Sequence, residues 1–193
     1  MLLLIAGLVI FLGLHSLRIF AEPMRTQLLA RFGDGGFKAF YSVVSIVGFA
    51  LIWYGYGQAR MAPSMVWNPP MATRHIATLL TLVSFIILFA AYVPRNRIKR
   101  AIGHPMVIAV KVWAFAHLLA NGMLADIVLF GSFLLWAVLS FRAARGRDKA
   151  NAYVRPGEVS VLSDVITIVA GIVAWVVFAI WLHGWLIGVK PFG

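Results

Sequence analysis

The chain alternates long apolar runs with short polar breaks, and this pattern predicts an all-α membrane protein. With a window of about 19 residues, we expect six spans, at 2–20, 37–58, 74–93, 105–122, 123–142 and 163–187. The breaks between them are rich in glycine, proline and asparagine: Gly33-Asp34-Gly35-Gly36, Asn68-Pro69-Pro70, Pro94, Asn121-Gly122 and Arg155-Pro156-Gly157. Since a helix needs about 20 residues to cross the hydrocarbon core, we predict a polytopic six-transmembrane-helix bundle that forms one domain over residues 1–193.

Composition supports the membrane assignment and excludes several kinds of chemistry. Hydrophobic residues make up 62% of the 193 residues, whereas a soluble domain has about 45–50%. The chain has no cysteine, so disulfides, thiolate metal ligands and a cysteine nucleophile are excluded. Neither a phosphate-binding glycine loop nor an HExxH motif is present.

The net charge of +11 is explained by membrane topology. Thirteen of the 17 Lys and Arg residues fall in the first, third and fifth loops. They are Arg18, Arg25, Arg31 and Lys38; Arg95, Arg97, Lys99 and Arg100; and Arg142, Arg145, Arg147, Lys149 and Arg155. Because basic residues accumulate in cytoplasmic loops, we predict that both termini are periplasmic and expect no nucleic-acid partner.

The segment from Gly103 to Gly122 is the most informative one for function, because polar side chains interrupt a membrane-length apolar run. His104 is predicted at the cytoplasmic surface, Lys111 near the middle of the span and His117 in its outer half. His104 and His117 are 13 residues apart, which is about 20 Å along a helix and about 140° around it. They therefore cannot share one ligand on the same helix face.

His15 and His117 are the histidines predicted to lie deepest in the membrane. Imidazole binds haem iron and many divalent metals, so both are candidate metal ligands. The alternative is a buried histidine that is paired with a backbone carbonyl or a hydroxyl of another helix. Lys111 either extends toward the cytoplasm or pairs with an anion, for which Asp164 and a haem propionate are the candidates.

Several motifs then resemble the NnrU family along nearly the whole chain. They are His15-Ser16 with Arg18, the Gly33 turn that leads into Phe40-Tyr41-Ser42, Gly103-His104-Pro105, Trp113-Ala-Phe-Ala-His117-Leu-Leu-Ala-Asn121-Gly122, and His183-Gly184-Trp185. The resemblance implies a multi-pass protein of the bacterial inner membrane that is associated with denitrification and nitric oxide metabolism. No settled biochemical activity comes with it, and whether the chain is an enzyme stays open.

The plant ζ-carotene isomerases look like relatives of this family and bind haem b through membrane histidines. The resemblance therefore implies haem b here, with His15 and His117 as the axial iron ligands and His104 as an alternate. Arg18 or Lys111 would neutralise the propionates. The iron would act in redox sensing, electron transfer or isomerisation of an apolar substrate.

Two functional hypotheses remain open as alternatives to haem binding. The His104-Pro105 pair is similar to that of membrane methyltransferases that use S-adenosylmethionine, although the paired glutamates typical of those enzymes are missing from this chain. The other alternative is a non-enzymatic assembly factor for a respiratory complex. The expected partners are the lipid bilayer and a redox partner or respiratory complex, and the sequence does not determine the oligomeric state.

Overall fold

A computed structural model describes residues 1–152 and 157–192. The protein is all-helical: 83% is helix, and the described residues contain no strand. An isolated antiparallel bridge pairs Met65 with Met123. The prediction of an all-α protein is therefore confirmed.

Nine α-helices follow one another along the described chain. They are α1 (Leu2–His15), α2 (Leu17–Phe20), α3 (Glu22–Met61), α4 (Met71–Tyr92), α5 (Arg97–Ile102), α6 (Pro105–Ala120), α7 (Leu124–Ala150), α8 (Val161–Val177) and α9 (His183–Ile187). A π-helical segment, Phe178–Leu182, joins α8 to α9.

Within residues 1–152 and 157–192, four helical stretches are long and apolar enough to cross a membrane, namely Glu22–Met61, Met71–Tyr92, Leu124–Ala150 and Val161–Ile187. The first and fourth predicted spans correspond to α1 and α6, which are apolar but shorter. A helix of 16 residues, such as α6, extends about 24 Å, less than the hydrocarbon thickness of about 30 Å. The protein is a membrane protein, whereas six complete spans and periplasmic termini stay predictions.

The first span is not continuous to residue 20 as the hydropathy pattern suggests. Helix α1 ends at His15, and the short α2 begins at Leu17. The Ser16 hydroxyl donates to the carbonyl of Leu12 at 2.6 Å, a bond that draws a side chain onto the preceding turn and bends helices. The chain breaks again at Ala21 (φ −138°, ψ 46°), and Pro23 then stands in the first turn of α3.

The first predicted loop is mostly helical, which corrects the sequence-based interpretation. Within α3 only Gly33 departs from helical geometry, with φ 70° and ψ 169°. Gly33 lacks a Cβ and adopts this conformation without steric cost, so the chain kinks at one residue and the helix resumes. Arg25, Arg31 and Lys38 consequently lie on helix α3.

The basic stretch after residue 142 is also helical where the structure describes it. Helix α7 extends to Ala150 instead of ending near 142. Its last turns are rich in Ala, Arg and Lys, which are strong helix formers. Arg155 and Pro156, which were placed in the fifth loop and its break, lie outside the described residues.

The chain forms two compact units, each built from two separate segments. Unit 1 consists of Met1–Asn68 and Asn121–Ala143. Unit 2 consists of Pro69–Ala120 and the described part of Ala144–Gly193.

In unit 1, glycines allow α1 to pack closely along α3. A Cβ on Gly7 would lie 2.6 Å from the Ile52 nitrogen, and one on Gly48 would lie 3.0 Å from the Phe11 nitrogen. A Cβ on Gly55 would collide with the backbone of Leu4, whose side chain is fully buried. Small residues of this kind let membrane helices approach backbone to backbone, and the pairing fixes the helix that carries His15.

In unit 2, α4 lies between α6 and α8. The Ser84 hydroxyl donates to the carbonyl of Ala109 on α6 at 2.8 Å. On the α8 side, Trp175 donates through Nε1 to Thr81 Oγ1 at 3.1 Å, and Gly171 packs against the backbone of Ile86. The fully buried alanines of α4 and α6 (Ala90, Ala114 and Ala116) complete this close contact.

Candidate functional site

His15 is the last residue of α1 and has a defined hydrogen-bonding state. Its Nδ1 lies 2.7 Å from the carbonyl oxygen of Phe11. Because a carbonyl can only accept, Nδ1 carries the proton, and in the neutral ring the lone pair is on Nε2. This is the arrangement in which a backbone carbonyl orients a metal-binding imidazole and sets its tautomer.

Aromatic rings surround the imidazole of His15 within unit 1. Phe11 stacks on it with ring centroids 4.2 Å apart. Tyr41 approaches edge-on at 5.1 Å and Trp136 at 6.1 Å. The half-buried histidine therefore lies in an aromatic setting, which is compatible with the flat apolar face of a porphyrin.

His117 repeats this bonding pattern at the end of α6 in unit 2. Its Nδ1 donates to the carbonyl oxygen of Trp113 at 2.9 Å, and the two rings lie 5.0 Å apart. The two side chains thus lie beside each other on α6. Asn121 lies beyond the end of α6, where the chain turns as the Asn121-Gly122 dipeptide predicts.

The histidines predicted as axial ligands belong to different units. His15 is in unit 1, and His117 is in unit 2 together with His104 and Lys111. Their pairing on one iron stays a prediction. Among the described residues, no group of three or more His, Asp or Glu side chains could hold a metal ion.

His104 has a carboxylate partner that the sequence did not indicate. Its Nε2 lies 2.9 Å from Oδ2 of Asp148, and Nη1 of Arg145 lies 3.5 Å from the same oxygen. All three side chains are partly buried. Metal ligation by His104 through Nε2 would require breaking the bond to Asp148.

The two predicted propionate partners lie in different surroundings. Arg18 is exposed on the short α2, whereas Lys111 is half-buried in α6. Asp164, the acidic candidate for Lys111, accepts a hydrogen bond from the backbone N–H of Arg97 at 2.7 Å and forms an ion pair with its guanidinium at 3.5 Å. These contacts give Asp164 a local role in joining the start of α5 to the start of α8.

Trp136 on α7 was not among the residues predicted from the sequence. It lines a groove of about 420 Å³ in unit 1, and its buried Nε1 has no hydrogen-bond partner among the described residues. The available signal was its position, because tryptophans of membrane proteins are typically found at the interfaces and Trp136 lies in the middle of a predicted span.

A second missed pair lies at the start of α7. The Tyr56 hydroxyl donates to Oδ1 of Asp126 at 2.5 Å, and Oδ2 of Asp126 accepts from the backbone N–H of Met123 at 3.2 Å. Asp126 is 5% exposed. The two side chains are 70 residues apart in sequence, and no local pattern connects them.

Comparison with known proteins gives one clear match. No curated protein and no solved structure matches the chain. The family model described as "NnrU protein" matches residues 3–191 of the 193. This match covers almost the entire sequence, and the chain belongs to the NnrU family.

Proposed function

We propose that this chain is a haem-b-binding protein of the bacterial inner membrane that serves nitrogen-oxide metabolism. Membership of the NnrU family and the apolar helices support a membrane protein with a nitrogen-oxide-related function. The haem proposal is carried by one observation, which is that two membrane histidines share a bonding state suited to iron.

In both His15 and His117, Nδ1 donates to the carbonyl four residues earlier. Each ring is held against its own helix, and in the neutral ring the lone pair is on the second nitrogen, Nε2. The chemistry of each histidine therefore fits a haem-iron ligand, and in this proposal His15 and His117 would hold the iron. Haem, when bound, supplies one-electron redox chemistry.

The other residues of the proposed site would shield the His15 ring from water and hold the haem propionates. Phe11, Tyr41 and Trp136 pack around the His15 ring and restrict the access of water to it. Arg18 follows His15 by three residues, and Lys111 precedes His117 by six. Their positive charges are the candidates for holding propionates.

The test is an absorption spectrum of the purified full chain, first air-oxidised and then reduced with dithionite, together with a pyridine haemochrome assay. Near-stoichiometric haem b with sharp α and β bands in the reduced state supports the proposal. His15→Ala and His117→Ala should each abolish the Soret band while the helical circular dichroism is unchanged, and added imidazole should restore the band.

His183→Ala is the matched control. Its Nδ1 also pairs with a backbone carbonyl, that of Val189 at 2.6 Å, but it lies near the predicted outer end of the last span. The control should keep the full Soret band. Retention of the band in both the His15 and the His117 variants would refute the ligand assignment, and a colourless, folded wild type would refute haem binding.

A further inference from the structure

The first part of α3, residues 22–32, is a helical segment with a break at each end. Ala21 precedes it with non-helical backbone angles, and Gly33 follows it with φ 70° and ψ 169°. Arg25 precedes Phe37 by 12 residues, which is about 18 Å along a straight helix, yet its Cζ lies 5.9 Å from the centre of the Phe37 ring. The chain therefore bends at Gly33, and segment 22–32 does not continue the line of the later part of α3.

The length of α3 places this segment at the edge of the bilayer. The helix has 40 residues, which would extend about 60 Å if straight, whereas the hydrocarbon core is about 30 Å thick. Residues 37–58, the predicted second span, extend about 33 Å and fill that thickness. Segment 22–32 is therefore left at the membrane surface, where it lies either in water or in the headgroup layer.

One face of the segment carries apolar side chains that the protein leaves exposed. Met24, Leu28 and Phe32 follow one another at intervals of four residues, which places them on one stripe of a helix. Met24 is 50% exposed and Phe32 is 56% exposed. In water this apolar stripe would stay hydrated, whereas the headgroup layer removes such a stripe from water.

The stripe is continuous with the lipid-facing surface of the second span. A Cβ on Gly36 would lie 3.3 Å from the Cβ of Phe32, so Phe32 lies against the first turn after the bend. Phe40 and Val43, which follow in the span, are also more than half exposed, and exposed apolar side chains of a membrane span face lipid. The bilayer that covers the span is therefore the occupant next to the stripe.

Positive charge borders the stripe. Arg31 follows Met24 by seven residues, which places it about 20° from Met24 around the helix, and its Cζ lies 5.6 Å from the centre of the Phe32 ring. Residues 17–38 contain four basic and two acidic residues, and both acidic residues are ion-paired with basic residues of the same stretch. An apolar stripe with a positive border is complementary to a leaflet that contains anionic lipid.

We propose that segment 22–32 is an interfacial helix that binds anionic phospholipids. Met24, Leu28 and Phe32 lie against the upper part of the acyl chains, and the Arg31 guanidinium donates to a headgroup phosphate. The basic loops predict that this is the cytoplasmic surface, where basic residues next to a membrane span are attracted to anionic lipid. The inference does not depend on haem, because it rests only on residues of α3 and its flanks.

The lack of cysteine in the chain allows one fluorophore to be placed at a chosen position. Met24→Cys and Thr26→Cys are each labelled with bimane in the full chain and reconstituted into nanodiscs. The two positions are about 200° apart around the helix, so the first probe lies on the stripe and the second, at an exposed residue, on the opposite face. Iodide quenches a probe in water, and phospholipids brominated near the headgroup end of their acyl chains quench a probe in the membrane.

The Met24 probe should be quenched by brominated lipid and shielded from iodide, and the Thr26 probe should show the reverse. One basic residue near a membrane surface changes the affinity for anionic lipid about fivefold. Brominated phosphatidylglycerol should therefore quench the Met24 probe at no more than about one-fifth of the mole fraction that brominated phosphatidylcholine requires. Arg31→Gln should lower this preference about fivefold, whereas Arg31→Lys, which keeps the charge, should preserve it.

Four results would overturn the inference, provided that circular dichroism shows unchanged helix content. Strong quenching of the Met24 probe by iodide would place the segment in water. Shielding of this probe from both iodide and brominated lipid would mean that another protein surface covers the stripe. Equal quenching by the two brominated lipids would exclude a preference for anionic lipid, and an unchanged preference in Arg31→Gln would exclude Arg31 as its source.

Discussion

Substituting Gly7 with alanine should separate the two helices that hold His15 in unit 1. The added methyl group would lie 2.6 Å from the Ile52 nitrogen and 2.9 Å from the Gly48 carbonyl oxygen. Both are backbone atoms and cannot rotate away, so α1 must move from α3 by several tenths of an ångström. Overpacking of this kind costs about 1–3 kcal/mol.

Alanine also changes the intrinsic helix preference, and a second variant on the same helix removes that effect from the comparison. Gly→Ala in a helix interior gains about 0.8–1 kcal/mol. Gly13→Ala has the same gain but places its methyl group where no atom lies within 4 Å. The difference between the two variants therefore isolates the overpacking cost, and we expect Gly7→Ala to be less stable by about 1–3 kcal/mol.

The assay is reversible unfolding in mixed micelles, followed by circular dichroism as the fraction of denaturing detergent rises. Wild type, Gly7→Ala and Gly13→Ala are measured side by side. Gly13→Ala should be at least as stable as wild type. Equal stability of the two variants would show that α1 and α3 are not in backbone contact at Gly7, and the packing described for unit 1 would be wrong.

Three further polar contacts are tested by substitution in the same unfolding assay. Tyr56→Phe removes a hydrogen bond to the buried Asp126 carboxylate and should cost about 1.5–3 kcal/mol; a neutral result would mean that the bond contributes nothing. Ser84→Ala removes a bond between α4 and α6 and should cost about 0.6 kcal/mol, the average for membrane proteins, while a cost above about 2 kcal/mol would contradict that estimate. In a double-mutant cycle, His104→Ala and Asp148→Ala should show a coupling of about 0.5–1 kcal/mol, and strict additivity would argue against their contact.

The sequence predicted the helices well because hydropathy is a local property. Every predicted span overlaps a helix of the structure. The errors come from competing local effects. The four turn-forming residues 33–36 predicted the end of a helix, but the chain only kinks at Gly33, with φ 70°, and α3 continues. Beyond residue 142 the polar residues are strong helix formers, so α7 extends past its last apolar residues.

The candidate site was predicted less completely, because its contacts are not local. The bonds of His15 and His117 to carbonyls four residues earlier follow from helix geometry. The partners Asp148 and Trp136, in contrast, reach their histidines from more than 40 residues away in sequence. Hydropathy carries no information about which distant residues meet.

The interleaving of the two units along the chain has a consequence for biosynthesis. Helices α1 and α3 can pair as soon as they are inserted, but residues 121–143 of unit 1 are synthesised only after residues 69–120, which belong to unit 2. Neither unit can therefore mature before most of the chain has left the ribosome. A nascent chain that stalls after residue 120 exposes Phe11 without Phe133 and His15 without Trp136, and we expect such intermediates to be recognised by membrane quality control.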